Sequence, residues 1–266
     1  MTTGIGEEQG GPVELGPARH EVVGEAERFY VRALEHLLHS RVPFLVGGAY
    51  ALREYAAISR ETKDLDLFCK AEDYPRLLQV LAEAGYRTEI TFPHWLAKAY
   101  SGDFFVDVIF NTPNAVCPVD DSWLAHAREA ELFGHQVKLV PAEELLWAKM
   151  YIMERERFDG ADVLHVIRHL GATLDWPRLW ARMQPHWEIM FAHLLLFEFV
   201  YPSERDAVPG WLWDDLLARL QQRLSAPPPQ ERICRGLLIS DRQYQIDITQ
   251  WGYRDARALR MQGRDE

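Results

Sequence analysis

The chain has 266 residues, 48 % of them apolar, and a formal net charge of -11. That length buries a real core in one large domain or two small ones, and the acidity argues against a dedicated nucleic-acid binder because it repels a phosphate backbone at long range. Three scattered cysteines, Cys69, Cys117 and Cys234, have no CxxC spacing, which excludes a disulfide framework or zinc site and reads as buried thiols in a reducing compartment.

Met1 to Pro17 is rich in Gly and Glu, with neither a basic start nor an apolar stretch. Residues 1–18 therefore read as a disordered tail and not as a secretory signal. Val22, Ala26, Phe29, Ala33 and Leu37 recur at helical spacing and predict a helix over Glu21 to His39. Phe44-Leu45-Val46 is a short buried strand, broken by Gly47-Gly48 and followed by a helix from Ala49 to Tyr55. Asp64 to Cys69 alternates polar and apolar residues and predicts a strand. Asp73 to Ala84 is an amphipathic helix with Gly85 at its C-cap. Strands follow over Tyr86 to Thr91, Phe104 to Phe110 and Val137 to Val140.

From Ala142 the pattern turns helical, first over Glu143 to about Arg157, then over Asp159 to Leu170. Further helices are separated by Pro177, Pro185, Pro202, Pro209 and Pro227-Pro228-Pro229. The longest apolar run, Ile189 to Tyr201, is too short for a bilayer and contains His193 and Glu198, so it reads as a buried helix. The expectation is a cytoplasmic α+β protein with no membrane partner. It has a mixed sheet with flanking helices over residues 19–140 and a helical region over 141–266.

Asp64 and Asp66 lie two apart on one strand, so their side chains share a face while Leu65 and Leu67 point into a core. An edge strand with a solvated face explains that pair alone. Asp107 is different, because it sits within Phe104 to Phe110, the most apolar strand of the chain. A carboxylate there costs several kcal/mol unless it is paired with an Arg or bound to metal. Three carboxylates on two strands are the hard-oxygen set that magnesium prefers, and such a set can hold two ions for phosphoryl or nucleotidyl transfer. Gly47-Gly48, between a strand and a helix, lets backbone N–H groups approach a phosphate, although a plain turn accounts for it as well.

In this order the segments resemble the nucleotidyltransferase superfamily that includes DNA polymerase beta. They are Phe44-Leu45-Val46-Gly47-Gly48, then Arg60-Glu61-Thr62-Lys63-Asp64-Leu65-Asp66-Leu67, then Val106-Asp107-Val108-Ile109. The Arg-x-Thr-x-Asp-x-Asp form and the stretches Val140 to Lys149 and Arg155 to Asp162 resemble the stand-alone bacterial branch related to AbiEii-type toxins and minimal nucleotidyltransferases. The likeness covers about Arg41 to Leu170. The spacing from Gly48 to Asp64 is longer than the family's, and a turn inserted near Ala56-Ala57-Ile58 absorbs it.

The resemblance implies a transfer of NMP from an NTP to an acceptor hydroxyl, with release of pyrophosphate. Gly47 and Gly48 would hold the triphosphate. Asp64 and Asp66 would bind two magnesium ions, and Asp107 would complete the site and activate the hydroxyl. Lys149 would neutralise phosphate or stand as a solvated helix lysine. Arg60 and Lys63 would touch phosphate or acceptor, or form a surface loop. Arg155 and Asp159 have i,i+4 spacing and, with Asp162, read as a brace. The net charge suits a small cationic acceptor or a protein, while the bacterial branch also suggests a tRNA end. The alternative is an inactive nucleotide-binding or interaction module of the same fold. His165 and His169 have metal-compatible spacing but no evident third ligand.

Overall fold

A computed structural model describes residues 17–59, 62 and 64–261. The tail expected over residues 1–18 lies almost wholly outside the described residues. The first helix begins at Pro17.

The first half of the described chain runs α1 (Pro17–Ser40), β1 (Leu45–Val46), α2 (Gly48–Ala56), β2 (Asp64–Phe68), α3 (Tyr74–Glu83), β3 (Arg87–Phe92), β4 (Leu96–Ser101), β5 (Phe104–Ile109), α4 (Asp121–Ala125), β6 (Arg128–Leu132) and β7 (His135–Leu139). Helices then dominate: α5 (Ala142–Met150), α6 (Gly160–Leu170), α7 (Trp176–Met183), α8 (Trp187–Val200) and α9 (Gly210–Ser225). The chain closes with β8 (Ile233–Cys234), α10 (Gln245–Thr249), β9 (Arg254–Asp255) and α11 (Ala256–Met261).

The seven-stranded sheet has the order β3-β4-β5-β2-β1-β7-β6. The pairs β2/β5 and β1/β7 are parallel and the remaining neighbours antiparallel. This is the mixed α+β sheet expected from the sequence. One of its faces carries Leu65, Leu67, Ala97, Ala99, Val106 and Val108, all fully buried. α3 packs across β3, β4 and β5, and α1 packs on α3 with Leu34 and Leu37 buried. The core continues into α5 to α9 as one cluster, from Phe29 to Ala256.

Two strands of the seven-stranded sheet depart from expectation, as do the short β8 and β9 in the half expected to be helical. β4 reads Leu-Ala-Lys-Ala-Tyr-Ser and β6 reads Arg-Glu-Ala-Glu-Leu, compositions poor in β-branched residues. Small residues suit β4 because α3 packs on this strand, in which Ala97 and Ala99 are fully buried. Charge suits β6 because it is an edge.

The helix expected to reach Arg157 stops at Met150. The chain then turns back through a bridge between Met153 and Phe158, with the Asp159 N–H donating to the Ile152 carbonyl at 3.1 Å. α8 is buried only along Trp187, Met190, Phe191, His193, Leu194 and Phe197. Its other side exposes Leu195, Leu196, Phe199 and Val200. No helix among the described residues is long and apolar enough to cross a membrane.

α5 and α7 are locked by buried charge. Glu144 is 0 % exposed and accepts from Arg178 at 2.5 Å, and Arg178 also donates to Glu143. Arg182 adds a second cation to Glu144 at 3.6 Å and stacks on Trp147.

Candidate active site

In the β2/β5 pair Asp66 lies directly opposite Asp107, and Asp64 opposite Phe105. Because side chains alternate, the three carboxylates emerge on the face away from the Leu65, Leu67, Val106 and Val108 layer. All three are half-buried, and one oxygen from each lies within 4.8 Å of the others. The structure thus brings together the three aspartates singled out in the sequence.

Such crowding is electrostatically costly without a cation. Burial, then the charges of Asp64 and Asp107, push the Asp66 carboxyl up to about 7, while Arg157 and Lys149 work against the rise. Burial also raises Asp107, against the pull of Lys98. Lys98 stands opposite Asp107 on β4, and its ammonium donates to Asp107 Oδ1 at 2.6 Å. The same ammonium lies 3.9 Å above the Phe105 ring. The Thr62 hydroxyl donates to the Asp64 carboxylate. The carboxylate cluster is a hard-oxygen set, and its mutual repulsion is what a divalent ion relieves, so these residues fit magnesium.

The two glycines do different things. The Gly47 N–H is committed to the Asp66 carbonyl at 2.9 Å, and a Cβ at position 47 would fall 2.3 Å from the Phe68 ring. Gly48 has φ +54, and a Cβ there would fall 1.8 Å from Asp66 Oδ2. α2 starts at Gly48 and its first backbone bond runs from Ala51 N to Gly47 O, at 3.2 Å. The preceding first-turn amides have no acceptor within the helix and start beside Asp66. α2 ends on Ala57 in a left-handed conformation, φ 54, so the chain does turn in the segment 56–58.

Lys149 is not solvated. It is 9 % exposed, and its ammonium donates to Asp159 Oδ2 at 2.6 Å and Asp162 Oδ2 at 2.8 Å. The brace expected from Arg155 is made by Arg157 instead, with Nε and Nη2 donating to the two Asp159 oxygens at 3.0 and 3.1 Å. Arg155 cannot sit one turn from Asp159, because the helix has already ended. Burial opposes ionisation of Asp159, but its bonds to Arg157 and Lys149 prevail and hold the carboxyl below the ordinary range. Arg60 and Lys63 lie outside the described residues. Neither His165 nor His169 joins a group of three possible metal ligands among the described residues.

Lys98 escapes the sequence reading, and Thr62 and Arg157 stand in the family-like stretches without a role assigned to them. Alternation in Ala97-Lys98-Ala99-Tyr100 is a signal for Lys98, once Ala is allowed as the buried residue under a tightly packed helix. The partner of Arg157 carries no local signal, because it depends on a reversal of the chain.

A family model described as "uncharacterised nucleotidyltransferase" matches residues 28–196. No curated protein matches the chain in sequence. Among solved structures, ANT(2″)-Ia in complex with adenylyl-2″-tobramycin is 16 % identical over 60 % of this chain and 95 % of its own, at TM-score 0.44. An antigenic nucleotidyltransferase-like protein from Paracoccidioides brasiliensis is 17 % identical over 70 % of this chain and 94 % of its own, at TM-score 0.42. The lincosamide antibiotic adenylyltransferase LnuA, lincomycin-bound, is 16 % identical over 53 % of this chain and 95 % of its own, at TM-score 0.38.

Proposed function

The chain belongs to this family of uncharacterised nucleotidyltransferases, and from that premise we propose that it is a magnesium-dependent enzyme moving the NMP of an NTP onto an acceptor hydroxyl with release of pyrophosphate. The observation that carries the reading is the convergence of Asp64, Asp66 and Asp107 within 4.8 Å, against the start of α2.

Asp64, Asp66 and Asp107 would hold the metal, which when bound supplies positive charge against the transferring phosphoryl group. The absence of a Cβ at Gly48 lets the Asp66 carboxylate sit against the start of α2, and the first-turn amides of α2 would supply donors to phosphate. Gly47 keeps β1 and β2 close enough to form that corner. Asp107, with one oxygen occupied by Lys98, has its other oxygen to take the proton of the attacking hydroxyl. Lys149 and Arg157 add positive potential on the side of Asp66. Arg60 and Lys63 stay in the proposed nucleotide set by their place before β2.

The net charge of -11 supports a small molecule or protein acceptor over a nucleic-acid end. Lys98 beside Asp107 argues against a cationic group next to the reacting hydroxyl. The buried free thiols Cys69, Cys117 and Cys234 support a cytoplasmic setting.

The test is titration of the protein with each of the four NTPs, with and without magnesium, against Asp64→Ala/Asp66→Ala. Magnesium-dependent binding that the double variant loses supports the assignment. Absence of NTP binding overturns it in favour of an interaction module.

A further inference from the structure

β4 meets β5 over six consecutive pairs without a shift, from Leu96 opposite Ile109 to Ser101 opposite Phe104. That register puts Lys98 directly opposite Asp107, and alternation puts both side chains on the carboxylate face. Ala97 and Ala99, on either side of Lys98, are fully buried on the face that α3 covers, so β4 cannot slide without losing that packing.

The side chain is held as firmly as its strand. The Lys98 ammonium donates to Asp107 Oδ1 at 2.6 Å and rests 3.9 Å above the Phe105 ring, which attracts it in turn. Lys98 is 17 % exposed and Asp107 14 %. One strand farther out, the Arg87–Glu89 pair on β3 is open to solvent. Among the described residues, Lys98 is the one hydrogen-bond donor to the Asp107 carboxylate. The terminal torsion of an aspartate is broad, so without a donor this carboxylate is free to turn.

Resting on the nucleotidyltransferase reading above, we propose that Lys98 is a positioning residue: by holding Oδ1 it fixes the plane of the Asp107 carboxylate, and so sets the pose in which Asp107 joins Asp64 and Asp66 around a divalent ion. The charge of Lys98 works in the opposite sense. A cation beside three carboxylates repels a divalent ion, so its removal would strengthen metal binding if Lys98 were a charge and nothing more. Removal of the partner that orients a ligand weakens metal binding instead, by about 10- to 100-fold. The two roles differ in sign, which makes them separable.

The experiment measures binding of Mn2+ alone, a probe suited to carboxylate ligands, from the resonance signal of the free ion. It compares wild type, Lys98→Met, Lys98→Arg, Asp107→Ala and the double variant Lys98→Met/Asp107→Ala. Lys98→Met is expected to weaken Mn2+ binding by about 10- to 100-fold. Lys98→Arg should recover most of that loss, because a guanidinium also donates to a carboxylate. On the Asp107→Ala background, Lys98→Met should bring no further weakening, the non-additivity expected of residues that act through one another. Mn2+ binding in Lys98→Met as tight as wild type or tighter would overturn the proposal, as would equal losses in Lys98→Met and Lys98→Arg. If Lys98→Met is too unstable to titrate, the double variant still decides, since it leaves neither half of the pair alone. Weaker Mn2+ binding there than in Asp107→Ala overturns the proposal. A wild type that binds neither Mn2+ nor any magnesium NTP would overturn the functional reading together with this one. A wild type that binds both, with Lys98→Met binding Mn2+ equally well, overturns this one alone.

Discussion

Gly48 and Asp66 fit together with no room between them, since a Cβ on residue 48 would lie 1.8 Å from Asp66 Oδ2. Residue 48 also holds φ +54, a left-handed backbone that costs an L side chain about 1–2 kcal/mol. Gly48→Ala is therefore expected to lower stability by about that amount and to displace Asp66. The displacement should weaken magnesium-dependent NTP binding by at least about tenfold, or ~1.4 kcal/mol. Urea unfolding and calorimetric NTP titration on one preparation check both effects. A variant that binds normally would show that Asp66 does not need its position against α2.

Asp66 also sets a dependence on pH. Its carboxyl is pushed up to about 7, chiefly by burial and then by Asp64 and Asp107, from an ordinary 3.8. Between those values the folded, metal-free protein holds a proton that the unfolded chain has lost, so this group's contribution to stability falls as pH rises from about 4 to 7. A cation that replaces the proton removes that penalty. Magnesium should accordingly raise the thermal midpoint more at pH 8 than at pH 5.5. Asp66→Asn should abolish most of the difference. Equal magnesium shifts at the two pH values would contradict the assignment of Asp66 as a ligand.

How much of this site is legible in the sequence depends on whether its partners are local. Asp64 and Asp66 declare a shared face through strand alternation, and Asp107 declares itself by being charged inside Phe104 to Phe110. Gly47 and Gly48 are legible as a pair, but their separate duties are not. Those duties depend on the Phe68 ring and the Asp66 carboxylate, which come from another strand. Lys98 is hidden because Ala97 and Ala99 read as helix formers until α3 is packed on them. The Lys149, Asp159, Asp162 and Arg157 cluster is half-legible. Asp159 and Asp162 read as structural, but the chain reversal after Met150 decides which cations meet them.

The buried charge network between α5 and α7 has a large expected effect on stability. Glu144 is 0 % exposed and leans on Arg178, with Arg182 farther away at 3.6 Å. Arg178→Ala leaves Glu143 and Glu144 without their closest cation. Removal of one partner of a buried pair costs about 3–5 kcal/mol. Urea denaturation should read a loss of that size, with NTP affinity of the remaining folded protein near wild type. A loss below about 1 kcal/mol, the level of a surface pair, would mean that Arg182 alone satisfies Glu144.

α8 offers a contrast within three residues. Phe197 is 0 % exposed and its ring centroid lies 5.6 Å from that of Tyr201 in a tilted pair, whereas Phe199 is 81 % exposed. Its length and apolarity read as a buried helix, but only the stripe from Trp187 to Phe197 meets the core. Phe197→Ala removes a ring from close packing and should cost about 3–5 kcal/mol. Phe199→Ala removes one from water and should stay within about 0.5 kcal/mol. Chemical unfolding of the two variants checks the contrast directly. Comparable losses would mean that the exposed side of α8 is covered in solution. That covering would be detected as a dependence of the Phe199→Ala effect on protein concentration, because a contact between copies strengthens by mass action and a contact within one chain does not.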